Sequence, residues 1–248
     1  MGFVASHAAV RHSRGGRQRL LPPVRKKAWQ VILSGGLLLA TALLVAGCGS
    51  TSLGRASLEG LRLAVARDPD VTPTAEQVAA SPYAQIEVVG PEGGAVLLLG
   101  NVDDGRQAFY SGDRKIVYLR DGLLSGSYGL AQDAADIRIE GDNPFARLPQ
   151  LQQPQQVARR YDWMPSYRYG VPVIGQLRRV GSARVTILGV ERDLLHFRET
   201  LRGPGVDATN EYWADPASGF IWKSRQLLAP GITLEILQLK PYQAEGAG

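Results

Sequence analysis

Hydrophobic positions follow three regimes along this chain. Residues 31–47 form a nearly unbroken apolar run. In residues 55–67 the apolar side chains fall at helical spacing. Leu58, Leu61, Val65 and Ala66 share one face, and Arg55, Arg62 and Arg67 lie elsewhere, which predicts a short amphipathic helix. Asp68-Pro69-Asp70 would end it. Thr74-Ala75-Glu76-Gln77 has capping-box spacing and predicts a second short helix, stopped by Ser81-Pro82. From residue 83 onward the apolar period shortens to that of strands.

The first strand group covers residues 83–89, 95–102, 106–111, 114–120, 123–130 and 137–140. Its turns are Pro91-Glu92-Gly93-Gly94, Asp103-Asp104-Gly105, Gly112-Asp113 and Asp121-Gly122, the last a strong two-residue hairpin signal. Residues 95–102 are largely apolar, as expected of a strand buried on both faces. Residues 143–156 carry Pro144, Pro149 and Pro154 and read as a long connection with one helical turn. The second group covers residues 158–163, 171–180, 184–190, 192–201, 208–214, 219–227 and 233–239. Gly181-Ser182, Glu191-Arg192, Gly203-Pro204-Gly205, the stretch 215–219 and Ala229-Pro230-Gly231 would turn the chain between them. Many short strands with regular turn signals predict an all-β fold, mostly an antiparallel sandwich or open barrel, with short N-terminal helices.

The apolar run gains its meaning from Cys48, the single cysteine of the chain. Arg25, Lys26 and Lys27 precede the run, and Leu44-Val45-Ala46-Gly47-Cys48 closes it. That order resembles a bacterial lipoprotein signal with its lipobox. The resemblance implies cleavage before Cys48 and acylation there, palmitate being one such chain. An uncleaved membrane span needs roughly 20 apolar residues; this run is shorter and is interrupted by Ser34, Gly35 and Gly36. A leader of ordinary length would begin at Val24, and sequencing the precursor of a Cys48→Ser chain would read from there. Gly49 is not the Asp that retains a lipoprotein at the inner membrane, so outer-membrane delivery is expected, facing the periplasm.

The leader also explains the charge. The whole chain has 28 basic and 23 acidic residues, a net charge of +5. Seven of the basic residues and none of the acidic ones lie in residues 1–47, which leaves 21 against 23, a net charge of −2. The basic pI therefore carries no argument for nucleic-acid binding. One cysteine permits no intramolecular disulfide.

Catalytic signals are sparse. His196 is the lone histidine beyond residue 12, so a zinc cluster is not expected, and neither is a metal or other cofactor. No Gly-x-Ser-x-Gly elbow or phosphate-binding loop occurs. Asp103-Asp104 sits at a turn, where Asp favours the backbone geometry. Aromatic residues are the stronger signal. Tyr161, Trp163, Tyr167 and Tyr169 cluster before Gly170, and Tyr212, Trp213 and Trp222 flank Asp215-Pro216. Their first reading is core and cross-strand packing; their second is a platform for stacking sugars. Arg159, Arg160, Arg168, Arg178 and Arg179 lie near the first cluster. They would either grip an acidic polysaccharide or protect an edge strand. The candidate polysaccharide-binding set is thus Tyr161, Trp163, Tyr167, Arg168, Tyr169, Trp213 and Trp222.

Several segments together resemble the YjbF/GfcB family of outer-membrane lipoproteins, associated with exopolysaccharide and group 4 capsule production. They are Thr74-Ala75-Glu76-Gln77-Val78, Ser81-Pro82-Tyr83-Ala84-Gln85-Ile86, Val96-Leu97-Leu98-Leu99-Gly100 and Arg168-Tyr169-Gly170-Val171-Pro172-Val173. The fullest run is Asn210-Glu211-Tyr212-Trp213-Ala214-Asp215-Pro216-Ala217-Ser218-Gly219-Phe220-Ile221-Trp222-Lys223-Ser224-Arg225-Gln226, and Leu234-Glu235-Ile236-Leu237-Gln238-Leu239-Lys240-Pro241 closes the set. The resemblance implies an all-β fold, an outer-membrane anchor and a role in polysaccharide export. It supplies no catalytic residue. The expected organisation is a signal peptide over 1–47, a lipidated tether over 48–54, one β-rich domain over 55–242 and a disordered tail over 243–248. The expected function is a non-enzymatic accessory of polysaccharide secretion, with polysaccharide and export proteins as partners. The alternative is a periplasmic carrier of lipid or lipoprotein with a β cavity.

Overall fold

The computed structural model describes residues 73–243. The signal peptide, Cys48 and its tether, the helix expected over 55–67 and the tail from 244 lie outside the described residues. Helix α1 (Ala75–Ala80) forms where the capping box predicts it. Thr74 Oγ1 accepts from Gln77 N at 3.2 Å, and Gln77 Oε1 accepts from Thr74 N at 2.9 Å. Each partner satisfies a donor that the first helical turn would otherwise leave free.

Twelve strands follow: β1 (Gln85–Gly90), β2 (Gly93–Asp103), β3 (Arg106–Tyr110), β4 (Ile116–Arg120), β5 (Leu123–Tyr128), β6 (Asp133–Glu140), β7 (Gln155–Met164), β8 (Arg168–Ile187), β9 (Val190–Gly203), β10 (Val206–Ala214), β11 (Ile221–Ala229) and β12 (Ile232–Lys240). They make one antiparallel sheet, ordered β5-β4-β3-β2-β1-β12-β11-β10-β9-β8-β7-β6. Every neighbour except the β1–β12 pair is also consecutive in the chain. The expected all-β, mostly antiparallel fold takes the form of a nearly closed barrel. Its edges, β5 and β6, meet at a short turn without forming a ladder. Side chains fasten them there. Ser127 Oγ donates to Asp133 Oδ1 at 2.6 Å and accepts from Ala134 N at 3.1 Å, while Asp133 Oδ2 accepts from Gly129 N at 2.9 Å. Further along β5, Gln226 of β11 reaches the edge. Its Oε1 accepts from Leu124 N at 3.0 Å and its Nε2 donates to Gly122 O at 3.1 Å, which replaces part of the missing ladder.

A barrel of twelve strands is wider than the eight-stranded kind that side chains fill unaided. Large residues close much of this one: Trp163, Tyr161, Tyr212, Phe109 and Phe197 are fully buried. The 143–156 connection contributes a 3₁₀ helix (Pro144–Gln150) that buries Phe145 and Leu148 against Val157, Leu177, Phe197 and Tyr212. The expected helical turn is thus a plug.

Two turns differ from expectation. Gly181-Ser182 does not end a strand. Residues 168–187 are continuous, and Gly181, at φ 152°, sits at a register shift opposite His196. A glycine inside a strand marks a bulge as readily as a turn. The real reversal is Leu188-Gly189, both at positive φ (49° and 79°), not Glu191-Arg192. Leu188 is a poor residue for that conformation, so composition gave no signal. The tip of this hairpin packs Val185, Ile187 and Leu188 with Val78 of α1 and with Val96, Trp222, Leu237 and Leu239 of the sheet. Hence β2 is covered on both faces only near Val96 and Leu97, and residues 100–103 are exposed.

Candidate functional site

Strand alternation sends Val157, Arg159, Tyr161 and Trp163 of β7 inward, and likewise Phe197, Glu199 and Leu201 of β9. Two opposite charges therefore enter the barrel from strands that both flank β8. Between them stands Gly175, paired with Val157 on one side and Leu201 on the other. A Cβ at Gly175 would lie 2.2 Å from Glu199 Oε1. The missing side chain is the space in which the ion pair crosses the middle strand.

The pair is bidentate: Arg159 Nε to Glu199 Oε1 is 2.8 Å and Nη2 to Oε2 is 2.9 Å. Glu199 Oε2 also accepts from Tyr212 OH at 2.8 Å and Asn210 Nδ2 at 3.1 Å. Asn210 Oδ1 accepts from Leu227 N at 2.7 Å, tying the network to β11. Burial works against the charge of Arg159, but the adjacent Glu199 carboxylate outweighs it and holds the guanidinium above its ordinary pKa. Burial, and then the charge of Glu199, push Tyr161 up to about 12 and Tyr212 well above the usual phenol range. Two neutral phenols beside a satisfied ion pair make a rigid strut. Neither is poised to exchange protons near neutral pH. The sequence reading named Arg159 but missed Glu199, Asn210 and Tyr212 as its partners. Inward-facing charges of opposite sign on β7 and β9 were the available signal.

The candidate polysaccharide-binding residues do not form one surface. Tyr161 and Trp163 are each 1% exposed, stack with centroids 5.1 Å apart, and belong to the core; Trp163 Nε1 donates to Leu228 O at 2.8 Å. They present no face to a polymer outside. Tyr167 and Tyr169, by contrast, are 69% and 60% exposed. By alternation with Val171 and Val173, Tyr169 should point inward. Gly170, at φ 61° beside a register shift, turns it out. Arg168 donates to Pro204 O at 2.7 Å and lies over the Trp163 ring.

Trp213 and Trp222 are on the outer face with their rings already engaged. Trp213 stacks on His196 of β9 at 4.7 Å, nearly parallel, with Lys223 of β11 on its other flank. Arg192 lies 3.8 Å from the Trp222 centroid, and Phe220 meets that ring edge-on. Burial lowers the His196 pKa, and Arg198 adds to this against the pull of Glu211. The Asp215-Pro216 turn is structural: Asp215 Oδ1 accepts from Ala217 N, Ser218 N and Ser218 Oγ at 2.8–3.0 Å. Among the described residues no group of three or more His, Cys, Asp or Glu side chains is arranged to hold a metal ion.

The barrel is unfilled at one end. Turns 90–94, 111–115, 130–132 and 228–232 surround a mouth of about 420 Å³, floored by Val88, Leu97, Val117, Leu228 and Leu234. Its rim carries Glu92, which accepts from Lys115 Nζ at 2.7 Å and from Ala131 N at 2.9 Å. Lys115 binding, and then the Ala131 amide, hold the Glu92 carboxyl below its usual range. The mouth suits an apolar guest and offers a charged pair at its edge.

Residues 58–239 match a family model described as group 4 capsule polysaccharide lipoprotein GfcB, YjbF. An uncharacterized lipoprotein GfcB of Escherichia coli (strain K12) is 23% identical over 205 residues, spanning 81% of this chain and 95% of that protein. The crystal structure of the hypothetical lipoprotein YmcC from Escherichia coli (K12) superposes with a TM-score of 0.64 at 21% identity. It covers 79% of this chain and 99% of that one, which shows the same fold.

Proposed function

The chain belongs to the YjbF family of group 4 capsule polysaccharide lipoproteins, and on that footing we propose that it is a lipid-anchored, non-enzymatic accessory of polysaccharide secretion at the outer membrane. The family match across 58–239 carries the reading, since it takes in nearly the whole barrel. Cys48 is the attachment point, and more than one acyl chain would make the anchoring stable. The barrel faces the periplasm and contacts polymer or export proteins. The exposed pair Tyr167 and Tyr169 supports such a contact. The interior network supports a structural rather than a chemical role, because the Glu199 carboxylate is saturated by Arg159, Tyr212 and Asn210. The test is polysaccharide in a deletion strain, separated into secreted and cell-retained fractions. Loss of the secreted fraction, restored by the intact gene but not by Cys48→Ser, is expected. Unchanged secretion would overturn the proposal.

The apolar mouth favours a second reading, a carrier that holds one lipid chain in the barrel end. Native mass spectrometry of the purified protein would then show a co-purifying lipid, which Leu97→Glu on the mouth floor should expel. A ligand-free spectrum would remove this reading.

A further inference from the structure

Beyond their fastened turn, β5 and β6 diverge and open a lateral cleft of about 400 Å³ in the barrel wall. Arg106, Arg120 and Arg138 line it, and Arg159 reaches it from the interior. Three of these charges are neutralised by carboxylates, that of Arg159 by Glu199 as described above. Arg120 pairs with Asp104, and Arg138 Nη1 binds Asp136 at 2.6 Å. Arg106 is held differently. Its Nε donates to Ser125 Oγ at 3.2 Å, its Nη2 donates to Ser125 O at 3.1 Å, and its guanidinium lies over the Tyr118 ring at 4.1 Å. These partners fix its position without cancelling its charge, and it forms no ion pair among the described residues.

Arg159 has its charge balanced by Glu199 but keeps one donor nitrogen unused. Its Nε and Nη2 are committed to Glu199 and Tyr212, but its Nη1 donates to no group among the described residues, although the side chain is 98% buried. This nitrogen is not among the described side-chain atoms that are buried without a partner, so it keeps a small access to the space outside the ion pair. The cleft is the open volume on that side. Two rigidly held arginines therefore each offer Nη1 donors to one opening.

A peptide strand is a poor occupant, because Gln226 already takes Leu124 N and Gly122 O on the β5 edge. No continuous ladder edge remains there for β-pairing. A short polyhydroxy ligand with one anionic substituent needs no such edge. Its anion takes the guanidinium forks and its hydroxyls take scattered acceptors such as Asp121 and Asp136.

We propose that the β5–β6 cleft binds the anionic group, carboxylate or phosphate, of an acidic saccharide through Arg106 and Arg159. This rests on the secretion role above and names the feature of the polymer that the barrel would recognise.

The test is calorimetry on the full chain in detergent with three probes: trigalacturonate, glucose 6-phosphate and neutral maltotriose. Binding of trigalacturonate or glucose 6-phosphate, with maltotriose silent, supports the site, and the probe that binds identifies the anion. Arg106→Gln should weaken that binding about tenfold or more, as loss of a charged hydrogen bond does. Arg138→Gln, whose charge Asp136 already neutralises, should leave it within about twofold. Arg106 lies on the barrel wall and its variant should melt with the parent, so lost binding cannot be lost fold. Arg159 is left intact, because its removal would strand Glu199. Equal binding of maltotriose, no binding of either anion, or indifference to Arg106→Gln would each overturn the proposal. The two proposals fail separately. A deletion strain with normal secretion removes the secretion role and leaves the calorimetry standing. Full rescue of secretion by Arg106→Gln, with unchanged probe binding, removes the cleft alone.

Discussion

Replacing Glu199 by Gln tests whether the buried pair is the strut of the barrel. The carboxylate receives four hydrogen bonds, one at Oε1 and three at Oε2. An amide keeps the shape but removes the charge, and its NH₂ must face either the Arg159 Nε donor or three donors at once. In both orientations Arg159 is left charged and uncompensated in the interior. Breaking a buried pair from one side costs about 3–5 kcal/mol. At about 2–4 °C per kcal/mol for a domain of this size, the melting temperature should fall by about 6–20 °C. Replacing both partners, as Arg159→Met with Glu199→Leu, removes both charges and fills the space with apolar volume. That double variant should recover most of the loss, because well-packed apolar replacements of buried pairs are often neutral. Urea unfolding followed by fluorescence of the buried Trp163 gives the whole cycle. A Glu199→Gln chain within about 1 kcal/mol of the parent would refute the reasoning, since a solvated or mobile pair is the only way to lose so little. A double variant worse than either single would refute it too, by showing that the tyrosine and asparagine contacts matter more than the charges.

Gly175→Ala should destabilise the chain by about 1–3 kcal/mol in the same assay, because the new methyl lands on a carboxylate that cannot retreat; a neutral result would mean that the pair does not cross at Gly175. Tyr161 and Tyr212 should stay silent in a tyrosinate absorbance titration at pH 10. Tyr161 is raised to about 12 and Tyr212 well above the usual phenol range, so the stability they contribute is complete below about pH 10 and is lost as pH climbs beyond it; an absorbance midpoint near pH 10 for every tyrosine with the fold intact would contradict this. His196 should titrate below 6.5 by NMR, because burial and then Arg198 disfavour its charged form. A depressed histidine favours the neutral native state, so its contribution weakens as pH falls through 6.5. Removing the neighbouring charge in Arg198→Gln should move the midpoint upward, and an unchanged midpoint would exclude that charge as a cause.

What the sequence determined was local. A period-two alternation in 83–130 and 158–239 specified strands, and the Thr74–Gln77 box specified the helix start, because these patterns need only neighbouring residues. The ordered motifs from Thr74 to Pro241 were enough to indicate the family. Tertiary structure decided how the strands closed and which side chains met. Alternation gives the parity of a residue only while register holds, and bulges reset it. Gly170 turned Tyr169 outward and Gly181 carried one strand through an expected turn, so the aromatic cluster read at 161–169 divides between core and surface. The Arg159–Glu199 pair is separated by forty residues and joined over Gly175 on a third strand. Its formation depends on the register of β7, β8 and β9 together, and no local window contains that information. The same holds for the β5–β6 cleft, which exists because the sheet closes its circuit without the last ladder.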